Sequence, residues 1–280
     1  MATRIVTDSC ADLPVHLARQ LEVVIVPCHI RLDGRSYKDG VDLTGDRFYA
    51  MLEDAAEPPS TSQPSIGELQ QVYGQLLEQG HHIVSVHISG RLSGTCNAAR
   101  RAKDALGRGS PIEIVDSEQA SVAQGLVVAH AARAAKQELA YQEVAGLLRS
   151  VIDRTRAFLA VESLLPLARG GRIGRAKSVL NSPPESVQVL QIRKGELHPA
   201  LTAPNWGEAK QMLVTLARDF GPMEGLGVGY STSADEAARL GHSLSDLVAE
   251  SRFMIAQFGA TIGGHVGSNA LGLGLTLAGP

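Results

Sequence analysis

Residues 82–106 read HIVSVHISGRLSGTCNAARRAKDAL. His82–Ile88 is apolar and rich in β-branched side chains, which predicts a strand. Ser89–Leu92 interrupts it with polar residues. Ser93-Gly94-Thr95 then opens a helix, because Ala98, Ala99, Ala102, Ala105 and Leu106 fall on one face at helical spacing. Strand, polar loop and helix make half of a βαβ unit, and the same rhythm runs outward on both sides. Upstream, Arg4–Thr7 is a short strand ending at Asp8-Ser9-Cys10-Ala11-Asp12, and a helix follows Pro14. Val23–Ile30 reads as one apolar strand. Asp33-Gly34 is a turn between Ile30-Arg31-Leu32 and Arg35-Ser36-Tyr37. A helix over Asp46–Glu53 leads into a polar, proline-rich loop, Glu57–Pro64. Ser65-Ile66-Gly67-Glu68 is a capping box that opens a helix to about Gln79. Downstream come a strand at Ile112–Val115 ending at Asp116-Ser117, and helices over Gln119–Glu138 and Tyr141–Asp153. This alternation predicts an α/β fold whose N-terminal sheet is mostly parallel, with helices on both faces.

After Arg156–Val161 the rhythm changes. Gly170-Gly171-Arg172-Ile173-Gly174 is a glycine-rich joint. Ser186–Ile192 and Glu196–Leu201, joined by Arg193-Lys194-Gly195, predict an antiparallel hairpin. A helix at Trp206–Arg218, a strand at Leu226–Tyr230 and a helix from Ser233 to about Glu250 follow, the last with a capping-box match at Ser233–Glu236. Strand-like Phe253–Gln257, a glycine-rich loop holding His265, and Leu271–Leu277 finish the chain. The expected organisation is an N-terminal α/β domain, residues 1–157, and a C-terminal α+β domain, residues 158–280.

Composition narrows the function. The chain has 280 residues, about two domains' worth, with 44% hydrophobic and 20% charged residues. Disordered, collagen-like and coiled-coil chains are excluded. Lys plus Arg is 26 and Asp plus Glu is 29, for a net charge of -3, without the basic excess of a phosphate-gripping nucleic-acid binder. No apolar run approaches the ~18–20 residues of a membrane span, and no secretory signal is visible. Cys10, Cys28 and Cys96 are an odd, scattered set that offers no disulfide framework and no paired zinc spacing. The expected compartment is a reducing cytoplasm. With aromatics at only 4%, a ligand must be gripped by aliphatic side chains, backbone and hydroxyls.

In open α/β sheets ligands sit beyond the carboxyl ends of the strands. There the sequence places Asp8-Ser9, Ser89 to Thr95, and Asp116-Ser117, and the loop Ser60-Thr61-Ser62-Gln63-Pro64-Ser65 adds more hydroxyls. Ser93-Gly94-Thr95 lies at a helix N-terminus, where free N–H groups favour an anion and Gly94 lets a ligand approach the backbone. Ser93 as a plain N-cap is the competing reading. Ser65 has its own role as a cap, which leaves Thr61 and Ser62 without a local one. Asp8 and Asp116 suit Mg²⁺ with a phosphate substrate, or else orient neighbouring loops. His265 in Gly263-Gly264-His265-Val266-Gly267-Ser268-Asn269 is either structural or beside a ligand. Arg169, Arg172, Arg175 and Lys177 are a solvated face or a partner for an anionic head group. No G-x-x-x-x-G-K-[ST], G-x-S-x-G or H-E-x-x-H occurs, and Gly225-Leu226-Gly227-Val228-Gly229 does not fit a dinucleotide fingerprint.

Together these segments resemble the DegV family of bacterial fatty-acid-binding proteins. The resemblance is carried by Thr7–Pro14, Pro27–Asp39, Thr61-Ser62-Gln63-Pro64-Ser65 and Ser89–Thr95. Asp116-Ser117, Gly170-Gly171-Arg172-Ile173 and His265-Val266-Gly267 complete it in family order over nearly the whole chain. It implies two domains with a ligand cleft between them, holding a long-chain fatty acid such as palmitate, stearate or oleate. The carboxylate would meet hydroxyls of Thr61 and Ser93, with Ser62, Thr95 and His265 nearby, and the tail would enter an aliphatic tunnel. The resemblance further implies a carrier, not an enzyme, which presents the acid to a separate fatty acid kinase for acyl-phosphate formation, and it implies no cofactor. The chain departs from the family pattern at Cys96, where a tyrosine is usual, and at Gly267-Ser268-Asn269, where Gly-Pro-Gly is usual. Ala203–Glu208 lacks the usual arginine. The last two departures bear on docking to a kinase. At ~0.8 kcal/mol per buried methylene, about fifteen give roughly 12 kcal/mol gross, so the tail supplies most of the affinity and the hydroxyls fix orientation. The alternatives are a metal-dependent enzyme acting on a small phosphorylated or carboxylated substrate through Asp8 and Asp116, and a non-catalytic module that takes a peptide in the cleft.

Overall fold

The computed structural model describes residues 1–107, 109–180, 182–183 and 185–279. The chain opens with β1 (Thr3–Asp8), a 3-10 turn (Ser9–Ala11), α1 (Val15–Gln20) and β2 (Val24–Val26). The hairpin β3 (His29–Leu32) and β4 (Arg35–Lys38) follows, then α2 (Gly45–Glu53), β5 (Ser60–Ser62) and α3 (Ile66–Glu78). β6 (His82–His87), α4 (Thr95–Leu106), β7 (Ile112–Asp116), α5 (Ser121–Lys136) and α6 (Tyr141–Arg154) complete the first half. The second half comprises β8 (Thr155–Val161), α7 (Leu165–Arg169), a 3-10 segment (Gly174–Val179), β9 (Val187–Arg193), β10 (Glu196–Ala203) and α8 (Trp206–Asp219). It continues through β11 (Met223–Tyr230), α9 (Ala234–His242), β12 (Phe253–Gln257), α10 (Ala260–Val266) and β13 (Ala270–Leu277). Position 157/158 lies inside β8.

β2, β1, β6 and β7 form a four-stranded, wholly parallel sheet in that order. Successive strand residues face opposite sides. Val6 and Ile83 therefore pack with α3 and α4, while Ile5, Val84 and Val86 pack with α5 and α6. The helices do lie on both faces. The second sheet runs β10-β9-β8-β13-β11-β12, antiparallel except for the β11–β12 pair. Leu226, Val228, Leu273 and Leu275 pack with α8 and α9.

α5 joins the two sheets. Eleven of its sixteen residues are buried, as expected of a helix covered all round. One side packs on β1 and the other on β11 and β13. Glycines make the second approach possible: a Cβ on Gly274 would lie 2.9 Å from the Ala123 nitrogen, and one on Gly227 would lie 3.0 Å from the Val122 Cβ. The Gly225–Gly229 alternation thus serves packing, with Gly225 and Gly227 toward α5, Gly229 against the Phe258 ring, and Leu226 and Val228 toward the other layer.

Several sequence expectations are corrected. The strand read over Val23–Ile30 is two strands, because Pro27 removes a ladder donor and the chain leaves the parallel sheet there. β3 joins β4 and β5 in a small antiparallel sheet, with Thr61 opposite Ile30. The supposed loop Glu57–Pro64 therefore contains a strand. The Asp33-Gly34 turn holds, both residues having positive φ. Ser233 is the N-cap of α9 but makes no capping bond, and the helix stops at His242, not Glu250. There Ser243 and Ser245 hydroxyls donate to the Leu240 and His242 carbonyls, which competes with helix continuation. The glycine-rich loop around His265 is a helix, α10. The carboxylate oxygens of Asp12 and Asp39 accept its first N–H groups: Gly259 to Asp12 Oδ1 at 2.8 Å, Ala260 to Asp39 Oδ1 at 2.9 Å, and Thr261 to Asp39 Oδ2 at 3.2 Å.

Candidate ligand-binding site

A cavity of about 290 Å³ lies between the two halves. That is close to the ~300 Å³ lower end of small-ligand pockets. Its walls are Ala120–Ala123 of α5 and its approach, Phe158 and Leu159 of β8, Leu190 and Ile192 of β9, and Ile262 and Val266 of α10. These walls are mostly apolar, with Ser121 and Thr261 the polar exceptions along them. Polar groups gather at one end, where Thr61, Ser62, Gln63, Ser93, Arg172 and His265 line the space. Ser62, Gln63 and Gly94 are solvent-exposed, so the mouth is at that end.

The hydroxyls come from the ends of β5 and the loop before α4. Thr61 Oγ1 lies 2.8 Å from His265 Nε2, a contact that joins the two halves. Ser93 Oγ lies 2.8 Å from Thr95 Oγ1 and accepts from the Thr95 N–H at 3.3 Å. Ser93 is not the N-cap of α4: that position is Gly94, which has no side chain to offer. Apart from the Thr95 amide that Ser93 Oγ takes, the first-turn amides of this twelve-residue helix receive no side-chain cap and are left for solvent or a ligand. Thr95 is buried behind Ser93, and neither Thr95 nor Gly94 lines the cavity itself. A Cβ on Gly94 would overlap the Gln63 carboxamide.

His265 and Arg172 supply the rest of the mouth. Burial, helped by the nearby Arg172 charge, pushes the His265 imidazole down to about 4, so the ring is neutral at pH 7. Its Nδ1 is buried without a partner and points at Gly170, where any Cβ would collide with the ring. Arg172 donates from Nε to the Leu92 carbonyl at 3.1 Å and from Nη1 to the Gly170 carbonyl at 2.6 Å. A guanidinium carries five N–H donors, so Arg172 keeps some for a ligand. The mouth thus carries a positive charge as well as hydroxyls. Gln63 was legible only as part of the Thr-Ser-Gln-Pro-Ser segment, and the α10 wall could not be read from a segment that looked like a loop.

Asp8 and Asp116 do not meet. β6 separates their strands, which puts them roughly 10 Å apart by sheet spacing. Asp116 accepts from the Gly90 and Glu118 amides and so orients loops. Asp8 is buried; burial works to raise its carboxyl, but the bond to His87 Nδ1 at 2.9 Å and the donors Ile88 N–H and Gln124 outweigh that and hold it below its ordinary value. Asp8, Cys10 and Cys28 approach one another within 4.8 Å, but both Asp8 oxygens are already engaged. Ser85 Oγ sits 2.8 Å from His87 Nε2, which completes a Ser–His–Asp order. All three are fully buried and Tyr73 Oη donates to Ser85, so no substrate reaches this row.

The cysteines are not scattered in space. Cys10 and Cys28 both line the cavity, with sulfurs 3.6 Å apart. The two departures from the family pattern also meet: Trp206, Ser268 and Asn269 line a second cavity of about 230 Å³ beside α8 and α9. No helix among the described residues is long and apolar enough to cross a membrane.

Known proteins share this architecture. A fatty-acid-binding DegV family protein from Thermus thermophilus superposes with a TM-score of 0.91 at 29% identity, over 99% of this chain and 100% of that one. A stearic-acid-binding protein from Eubacterium ventriosum gives 0.88 at 26% identity, over 98% and 97%. A DegV domain-containing protein from Caldanaerobacter subterraneus is 29% identical over 273 residues, 96% of each chain. The family model described as "Uncharacterised protein, DegV family" matches residues 2–277, which spans both sheets, the shared helix and every group at the cavity mouth, and the chain belongs to that family.

Proposed function

We propose that this chain binds one long-chain fatty acid, of the palmitate, stearate or oleate class, in the cavity between its two halves. The carrying observation is a largely apolar cavity whose polar groups concentrate at the open end, with Thr61, Ser62, Ser93 and Arg172 on it. The carboxylate sits at that end, near the N-terminus of α4, and the tail lies along β8, β9 and α10. Fatty-acid binding by the Thermus thermophilus and Eubacterium ventriosum relatives supports the ligand class. A division at residues 157 and 158 makes the two halves the two walls of the site.

The chain acts as a carrier in the cytoplasm, not as a catalyst. It presents the carboxylate to a separate kinase, which phosphorylates it. The exposure of Ser62, Gln63 and Gly94 around the mouth supports that delivery. The altered segments Ala203–Glu208 and Gly267–Asn269 then set which partner is accepted.

Mass spectrometry of lipid extracted from gently purified protein tests the ligand. One acyl chain per protein molecule is expected, with matching affinity in titrations from myristate to stearate. An empty protein that takes up none of these acids ends the proposal.

A further inference from the structure

Cys10 lies in the 3-10 turn that follows β1, and Cys28 lies just past β2. β1 and β2 end side by side, with Asp8 opposite Val26, so the two segments leave the parallel sheet next to each other. Both thiols are free and buried, with sulfurs 3.6 Å apart. The backbone on each side is anchored, the Cys10 N–H on Asp8 and the Cys28 N–H on Ser9 Oγ. Closing the pair therefore falls to side-chain rotation. The cavity that both residues line gives an approach to it, among Ile88, Leu92 and Ile262. Cys96 does not share this placement; its thiol donates to the Ile88 carbonyl.

We propose that Cys10 and Cys28 are a redox-active pair in the cavity wall, which a peroxide converts to a disulfide while the cavity is empty and which a bound acyl chain covers. One thiol attacks a peroxide oxygen; the O–O bond breaks, the thiol proton joins the departing hydroxide as water, and a sulfenic acid remains. The second thiol attacks that sulfur; the S–O bond breaks and a second water leaves. The two thiols lose two hydrogens and hydrogen peroxide becomes two waters. The dependence on occupancy rests on the fatty-acid function proposed above; the pair itself does not.

The test uses the full chain, delipidated or saturated with palmitate, treated with hydrogen peroxide, alkylated, and examined by intact mass and peptide mapping. Direct titration establishes palmitate binding separately. In the delipidated protein we expect the loss of two hydrogens, a Cys10–Cys28 linked peptide, recovery of both thiols with dithiothreitol, and Cys96 still alkylated. Palmitate should slow the linkage by about tenfold or more. Unreacted thiols, or sulfinic acid on either cysteine without a link, in the delipidated protein overturn the pair. Equal rates with and without bound palmitate overturn the covering while the pair stands. Failure of palmitate to bind overturns the fatty-acid reading, and the delipidated arm still decides the pair. In Cys28→Ser the link must vanish; a two-hydrogen loss that persists there overturns the assignment.

Discussion

Thr61 and Ser93 act at the mouth through different partners. Thr61 reaches across to His265, whereas Ser93 is steadied by Thr95 on its own segment. Replacing both, as Thr61→Ala with Ser93→Ala, removes two hydroxyls from the head-group end without touching the apolar walls. Hydrogen bonds to a charged group are worth about 1.5–3 kcal/mol each, so losing two predicts palmitate binding weakened by roughly a hundredfold to ten-thousandfold. Calorimetric titration reads the affinity, and circular dichroism reads whether the fold is intact. Unchanged affinity in a folded double variant takes both residues out of the site. Thr61 stood out in the sequence because Ser65 already had a capping partner in Glu68, which left Thr61 and Ser62 unemployed, and Ser93 stood out by its place at a helix start. The Ser93 cap reading holds in part: Gly94 takes the cap position, yet Ser93 Oγ, one residue outside it, accepts from the Thr95 N–H that opens α4.

Elements with local signals were read well, and those made by distant partners were not. α4 and α5 declare themselves by apolar spacing, and the β9–β10 hairpin by its Lys194-Gly195 turn. α10 has no such signal. Its start depends on Asp39, 221 residues away, which accepts from Ala260 and Thr261, and on Asp12, which accepts from Gly259. β5 likewise exists because β3 offers it an edge. Burial pushes both carboxyls above their ordinary value despite these donors, so the arrangement is costly to keep and costly to break. In Asp39→Ala two buried amides lose their acceptor, which costs about 2–5 kcal/mol by the usual penalty for unpaired buried donors. Urea denaturation should show that loss. Palmitate affinity should fall with it, since α10 carries His265, Ile262 and Val266. A variant of wild-type stability would mean that α10 is held by packing alone.

At the scale of the whole molecule, acid should weaken the fold. Burial pushes His265 and His130 down to about 4, below the ordinary 6.5. Between those values the unfolded chain binds protons that the folded chain does not, so stability declines as pH drops through about 6.5 toward 4. Asp12 and Asp39, raised by burial, act in the opposite sense, which makes a paired comparison the clean readout. Wild type should lose more stability than His265→Gln on going from pH 7 to pH 5, by about 1–2 kcal/mol. Thermal or urea unfolding at the two pH values measures it, and identical losses in the two proteins would show that His265 is not held neutral. The helix α5 sets a different constraint on the molecule. It belongs to both sheets at once, so the halves cannot swing apart like jaws without stripping a sixteen-residue helix of one of its neighbours. A guest of the proposed kind would pass through a small doorway at β5, α10 and the loop before α4, its exchange paced by local breathing of those short pieces instead of by a hinge.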